Sequence, residues 1–323
     1  MRSLKACLMI ALAAVAAAAF GGTAAAQSWP QRPVKLILPL GPGSGADISA
    51  RLFADRLTRR WGQSVVVENR PGADGIVAIT AFIAAADDHT FLWGPASSFV
   101  AHPYLHDKMP YDRRDLSPVA RVSSTLVSVS VPASLNINSI SDVFALAKAE
   151  PGKLNWATIT GVTDFIVAGY LKNAGLEMTK VPYRDTVQAL NDLGEGRIQF
   201  YLAALAIVRP QIQAGRIKIL AVTNRERPPD APHVPTVSDV GYPDLAFDGL
   251  VGLFGPRDLS NELRSRIAAD IREVAADPEI VKRLTATGQL IRPGTADELA
   301  ADVDEQATRV AAFAKALGIK AGH

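Results

Sequence analysis

Hydrophobic positions along this chain follow two periods that exchange repeatedly. From Val34 to Leu40 the residues are almost continuously apolar, as in a strand buried on both faces. After Asp47 the spacing becomes helical: Ile48, Leu52, Phe53, Leu57 and Trp61 recur three to four residues apart and form one apolar face. Gly62 marks the stop. Between strand and helix lies a turn carrying Gly41, Gly43 and Gly45. The exchange repeats with a strand at Val65 to Glu68, a turn over Arg70 to Gly75, a helix through Ile76 to Ala86, and a short strand at Thr90 to Trp93 leading into the polar loop Gly94 to Ser98. Farther on, strands are expected at Asn155 to Ile159, Met178 to Tyr183, Ile198 to Leu202 and Ile217 to Val222. Helices are expected at Asp142 to Ala149 (capped by Ser141), Phe165 to Ala174 and Thr186 to Leu193.

Regular alternation of this kind predicts an α/β fold with mainly parallel sheets and flanking helices. Two segments look able to pass between separate bodies: the long alternating run Val119 to Val131, and Phe247 to Phe254 beyond the proline-rich, charged loop Asn224 to Pro235. They divide the chain into lobe 1 (27–126 and 247–323) and lobe 2 (127–246), joined by two crossing strands. Helices at Leu259 to Ala276, Pro278 to Thr287 and Ala296 to Leu317 complete lobe 1; Leu299, Val303, Ala307, Val310 and Phe313 are spaced as a packing face on the last. Ligands of such sheets bind beyond the carboxyl ends of the strands, so a cleft between the lobes would bring two such edges together.

The N-terminus changes the functional picture. Arg2 and Lys5, the apolar run Ala6 to Phe20 and the small residues Ala24 to Ala26 form a secretory signal over residues 1–26, cleaved after Ala26 into the periplasm. Cys7 is the single cysteine and falls inside it, so the mature chain holds no thiol for disulfides, catalysis or metal ligation. Loss of Arg2 and Lys5 brings the 34 basic residues to 32, equal to the 32 acids. A formally neutral chain offers no electrostatic footprint for nucleic acid. About 297 residues remain, more than one ordinary core holds.

The glycine turn is the main chemical feature. Its residues Gly41, Gly43, Ser44, Gly45, Ala46 and Asp47, with Leu40 ending the strand before them, stand at the start of a helix. There backbone N–H groups lack intrahelical partners and the dipole favours an anion. Gly41 to Ala46 also satisfies the G-x-G-x-x-G/A dinucleotide pattern, with Glu68 placed as a ribose-binding acid. Pro42 removes one donor, and an exported protein leaves the nicotinamide cofactor pool behind, so this reading, or that of an exported α/β enzyme, is the alternative only. The first loop has a counterpart at Thr160, Gly161, Val162, Thr163 and Asp164: strand, glycine and hydroxyl, then an aspartate before an apolar helix. Two helix N-termini facing across a cleft would grip a carboxylate through neutral donors. His102 and His106 are four apart, but Pro103 intervenes and no acid completes a metal set. Gly94 to Ser98 lacks the second glycine of a nucleophile elbow. Arg184 has the chemistry to pair with a ligand carboxylate or with Asp185, and Tyr183 either lines the cleft or ends a buried strand.

Several segments together carry a family resemblance: RPVKLILPLGPGSGAD (Arg32 to Asp47), VVVENRPGADG (Val65 to Gly75), PGKLNWA (Pro151 to Ala157), VPYRDTVQALNDLGEGRI (Val181 to Ile198), AVT (Ala221 to Thr223) followed by PHVPTV (Pro232 to Val237), and GLFGP (Gly252 to Pro256). In this order and spacing the chain resembles the Bug receptors, the extracytoplasmic solute-binding subunits of tripartite tricarboxylate transporters. The resemblance implies a two-lobed periplasmic-binding-protein (Venus flytrap) fold. It also implies a monomer without enzymatic activity, metal or cofactor, which delivers a small organic carboxylate to membrane subunits on other chains. It places Gly41 to Asp47, Ser97, Ser98 and Thr160 to Asp164 at the ligand. Val162 and Asp164 depart from the family's small polar run, Ala203 stands where many relatives have an acid, and Leu250 where many have an aromatic. Asp164 reads either as an N-cap of the helix near Phe165 or as an acceptor for a donor on the ligand. Dicarboxylates, tricarboxylates, acidic amino acids and aromatic acids are all compatible with capture at helix ends.

Overall fold

A computed structural model describes residues 29–158, 161–183 and 185–322. The signal segment with its cleavage point, Thr160 and Arg184 lie outside the described residues. The first half of the chain runs β1 (Val34–Leu38), α1 (Gly45–Trp61), β2 (Val65–Asn69), α2 (Ile76–Ala85), β3 (Thr90–Pro95), the short turns α3 (Ser97–Val100) and α4 (His102–Leu105), and β4 (Ser117–Thr125). It then continues through β5 (Val127–Pro132), α5 (Ile140–Ala149), β6 (Asn155–Thr158), α6 (Gly161–Ala174), β7 (Thr179–Lys180), α7 (Thr186–Gly194), β8 (Phe200–Ala204), α8 (Leu205–Gln213) and β9 (Ile217–Val222). The chain ends with β10 (Gly249–Gly255), α9 (Asn261–Ala275), α10 (Pro278–Ala286), β11 (Gln289–Gly294) and α11 (Ala296–Ala316).

These strands form two sheets, one in the order β11-β4-β10-β3-β1-β2 and the other β7-β6-β8-β5-β9. Both are mixed. The pairs β1–β2, β1–β3, β6–β7 and β6–β8 are parallel, as right-handed strand–helix–strand units require. The pairs made by β10, β11 and β5 are antiparallel, because these strands belong to connections that arrive from the other sheet or turn back from a helix.

Where the chain changes sheet, the expected Val119 to Val131 strand is two. Leu126 breaks it: its N–H bonds Gly288 O at 2.8 Å and its carbonyl accepts from Leu205 N at 2.8 Å, so neither group is left for a ladder. The alternation of valine and serine in β5 does not mark a wet face either. Ser128 and Ser130 are fully buried, their hydroxyls 3.0 Å apart, and Ser128 Oγ donates to Ala203 O at 3.2 Å. Beside this break runs the returning segment Phe247 to Gly249. Asn224, fully buried, fastens the two: its Oδ1 accepts from Val127 N at 2.9 Å and its Nδ2 donates to Thr125 O at 3.0 Å and to Ser124 Oγ at 3.2 Å. Gly249 has to be glycine here, since a Cβ would sit 2.7 Å from Thr125 O.

The core follows the sheets. One cluster packs α1, α9 and α10 on the first sheet through Leu36, Phe53, Trp93, Leu253 and Ile271. A larger one is shared: Phe99 and Val100 of α3, Val162 and Phe165 of α6, and Val310 of α11 meet in the same apolar volume as Val129 and Phe200 of the second sheet. No helix of the described residues is long and apolar enough to cross a membrane.

Candidate ligand-binding site

Helix α1 begins two residues before Asp47. Ser44 is its N-cap, extended at φ −67° and ψ 157°, with Oγ accepting from Asp47 N at 3.2 Å. This frees Asp47 for another task. Its carboxylate is buried and turned back on the loop: Oδ2 accepts from Gly43 N at 2.9 Å, and Oδ1 accepts from Arg51 Nε at 3.0 Å and from Asn69 Nδ2 at 2.9 Å. Asn69 Nδ2 also donates to Leu40 O at 2.9 Å, and Arg51 Nη2 donates to Asn69 Oδ1 at 2.9 Å. Burial opposes ionisation of Asp47, but the hydrogen bonds from Arg51, Gly43 and Asn69 outweigh it and hold its pKa below the ordinary 3.8. Gly43, at φ 82°, is the residue that lets the turn fold over this carboxylate. Gly43 N–H is thereby satisfied inside the protein. The first-turn amides of Gly45 and Ala46, which have no intrahelical acceptor, are the donors left for an anion.

These residues open on a cleft of about 540 Å³ between the two sheets. From the first sheet's side it is lined by Leu40, Gly43, Ser44, Gly45, Ala46, Ser97 and Gln289, and from the other by Val127, Thr163, Thr186, Ala204 and Ile207. Phe247, Gly249 and Val251 form its floor at the crossing. Ser97 lies in the helical turn that follows β3, not in an open loop. Ser98 and Gly161 line a smaller adjoining pocket of about 170 Å³, which shares Leu40 and Ser97 with the cleft. The start of α6 abuts the turn α4 and the residue before it: a Cβ on Gly161 would come within 2.7 Å of Leu105 Cδ1 and 3.6 Å of Ala101 Cβ.

Four expected contacts fall elsewhere. Asp47 supports the loop from behind, as described, and Gly41 closes the turn by accepting from Ser44 N at 3.4 Å. Ala203 is fully buried in β8 opposite Ser128; its neighbour Ala204 lines the cleft instead, because successive strand residues face opposite sides. Tyr183 packs against the second sheet's core and donates to Asp192 Oδ2 at 2.7 Å; burial and that bond push its pKa up to about 12.

Asp164 sits inside α6 rather than before it and is not among the residues that line the cleft. Helix α6 starts at Gly161, which places Asp164 within the first turn. There it accepts from Thr158 Oγ1 and pairs with Lys180 Nζ at 2.6 Å. Its charge is answered by a lysine of the short strand β7.

Gln289 and Thr125 are contributors the sequence pattern did not reveal. Gln289 Oε1 accepts from Ser123 Oγ at 3.0 Å and its Nε2 donates to Thr125 Oγ1 at 2.9 Å, while the same amide lies against Gly45, where a Cβ would be 2.5 Å from Nε2. A lone glutamine after Gly288 gives no periodic or motif signal.

His102 is a satisfied core histidine. Nδ1 lies 2.6 Å from Tyr111 Oη and Nε2 3.1 Å from Asp74 O, and burial lowers its pKa. Among the described residues no group of three or more His, Cys, Asp and Glu is placed to hold a metal ion.

The chain matches the family described as tripartite tricarboxylate transporter family receptor over residues 49–319. It belongs to that family. Protein BugT of Bordetella pertussis is 26% identical over 95% of each chain, in line with the resemblance to the Bug receptors. Its fold matches the structure of Rpa4515 from R. palustris with adipate at a TM-score of 0.77 and 28% identity, covering 91% of this receptor and 99% of that chain. MatC from Rhodopseudomonas palustris with bound malate matches at a TM-score of 0.73 and 26% identity, over 88% and 99%. The receptor thus has the two-sheet α/β fold expected, which it shares with these solute-binding proteins.

Proposed function

We propose that this receptor, exported and trimmed after Ala26, binds one small organic carboxylate per chain and hands it unchanged to the membrane subunits of a tripartite tricarboxylate transporter. The observation that carries the reading is the meeting of α1 and α6 at one cleft. The amides of Gly45 and Ala46 supply neutral donors and a dipole for the carboxylate, with Ser44, Ser97 and Thr163 in the wall around them. Residues 27–126 with 247–323 and residues 127–246 act as two lobes that close on the ligand as a monomer. Rpa4515 has been seen with adipate and MatC with malate, and the donors at the start of α1 suit one carboxylate of this kind.

The dinucleotide alternative fits less well, because Asp47 already occupies the Gly43 amide that a pyrophosphate would need. Calorimetry of the mature protein against a panel of small acids, followed by recovery of the ligand, tests the proposal. Unit stoichiometry and intact ligand are expected. Saturable NAD binding, or conversion of the acid, would replace the receptor reading with an enzyme.

A further inference from the structure

The cleft has an uneven wall. At the α1 end the lining is polar: Ser44, Ser97, Thr163 and the first-turn backbone of Gly45 and Ala46. The rest of the lining is mainly apolar, with Ile48, Val127, Ala206, Ile207, Phe247 and Val251 beside the uncharged polar side chains of Thr125, Thr186, Thr287 and Gln289. None of the described residues lining the cleft is lysine, arginine, histidine, aspartate or glutamate. Acids of both matched loops are already paired: Asp47 is bound to Arg51 and Asn69, and Asp164 to Lys180. A second ligand charge placed against the apolar wall would lose its hydration with no cation among the described lining residues to receive it. An alkyl or aromatic body there would instead gain by leaving water.

From this we infer that the receptor selects monocarboxylates with an uncharged apolar body, held by the single carboxylate at the start of α1 and by Ile207, Phe247 and Val251 along the tail. The inference rests on the receptor reading above and narrows its ligand class.

Adipate and hexanoate isolate the point, since they share a carbon chain and differ only in whether the far end is a carboxylate or a methyl group. Calorimetry of the mature protein at neutral pH should find hexanoate and benzoate each bound at least about tenfold more tightly than adipate, malate or citrate, a difference of roughly 1.4 kcal/mol. Ile207→Lys, which puts a cation on the apolar wall, should close or reverse that gap by favouring adipate. Adipate or malate binding as tightly as hexanoate to the unaltered receptor would overturn the inference while leaving the receptor function intact. Tight binding of hexanamide with no acid bound would overturn both. An Ile207→Lys protein that keeps the original preference would remove the tail from this wall and overturn the placement.

Discussion

Asp47 shows how a residue's position can be legible in sequence while its bonding partners are not. The spacing of glycines and an acid before an apolar helix marks the loop, and every such acid looks like a cap or a ligand group. Only the fold brings Asn69, twenty-two positions away, to the same carboxylate. Asp47→Ala would leave the Gly43 amide without its acceptor and Asn69 Nδ2 with only Leu40 O, at a cost of about 1–3 kcal/mol in chemical denaturation. Ligand affinity should fall as well, since the loop that presents Gly45 and Ala46 loses its brace. Acid should act on the same point. With its pKa held below 3.8 in the folded state, Asp47 contributes stability above the unfolded value that disappears as pH falls through the lower folded one. Denaturation midpoints followed below about pH 4 should therefore drop more steeply for the unaltered receptor than for Asp47→Asn. Asp164 should behave in the opposite way for function. Asp164→Asn breaks a half-exposed pair with Lys180, worth roughly 0–1 kcal/mol, and should leave ligand affinity and preference unchanged in calorimetry.

At the scale of elements, the strongly periodic ones were legible. Gly62 ends α1 with φ 67° and its N–H on Thr58 O, as its place after an apolar stripe suggests. Errors gathered where tertiary bonds override local pattern. Helix α6 starts before Phe165, and α5 is capped by Ser139 rather than Ser141, with Asp142 completing a capping box. Strand β7 shrinks to two residues at a sheet edge, and β11 was missed because its Gln-Leu-Ile-Arg stretch is short and unalternating. The crossing depends on Asn224, which reads in sequence as the start of a polar loop and is in fact buried among both connecting segments. Asn224→Ala should cost about 2–3 kcal/mol, because it strands the Val127 amide and the Thr125 carbonyl in the interior. Asn224→Asp keeps the acceptor for Val127 but removes the donor to Thr125 O, and it brings a charge near Asp248; it should destabilise at least as much by urea titration.

On the scale of the whole molecule, alternation and two crossing segments were enough to anticipate two sheets and a cleft, but not how the lobes touch away from it. That contact is helical. Helix α11, which follows the first sheet, lies on α6 of the second, and Phe313 packs so closely over Gly169 that a Cβ there would be 2.2 Å from Cδ1 and 2.8 Å from Cβ of the phenylalanine. Six residues toward the N-terminus, the same helix places Thr163 in the cleft wall. Because one helix carries both Gly169 and Thr163, a shift at the packing contact would carry to the cleft wall. Gly169→Ala should thus force α11 and α6 apart, costing about 1–3 kcal/mol by overpacking, and should weaken carboxylate binding although no cleft residue has changed. Phe313→Ala alone removes apolar contact and destabilises for a different reason, while adding it to Gly169→Ala relieves the clash. The two changes should therefore be non-additive: the double variant should bind more tightly than Gly169→Ala alone, as measured by calorimetry. Equal affinities for the single and double variants would mean that the helical contact and the cleft are energetically separate.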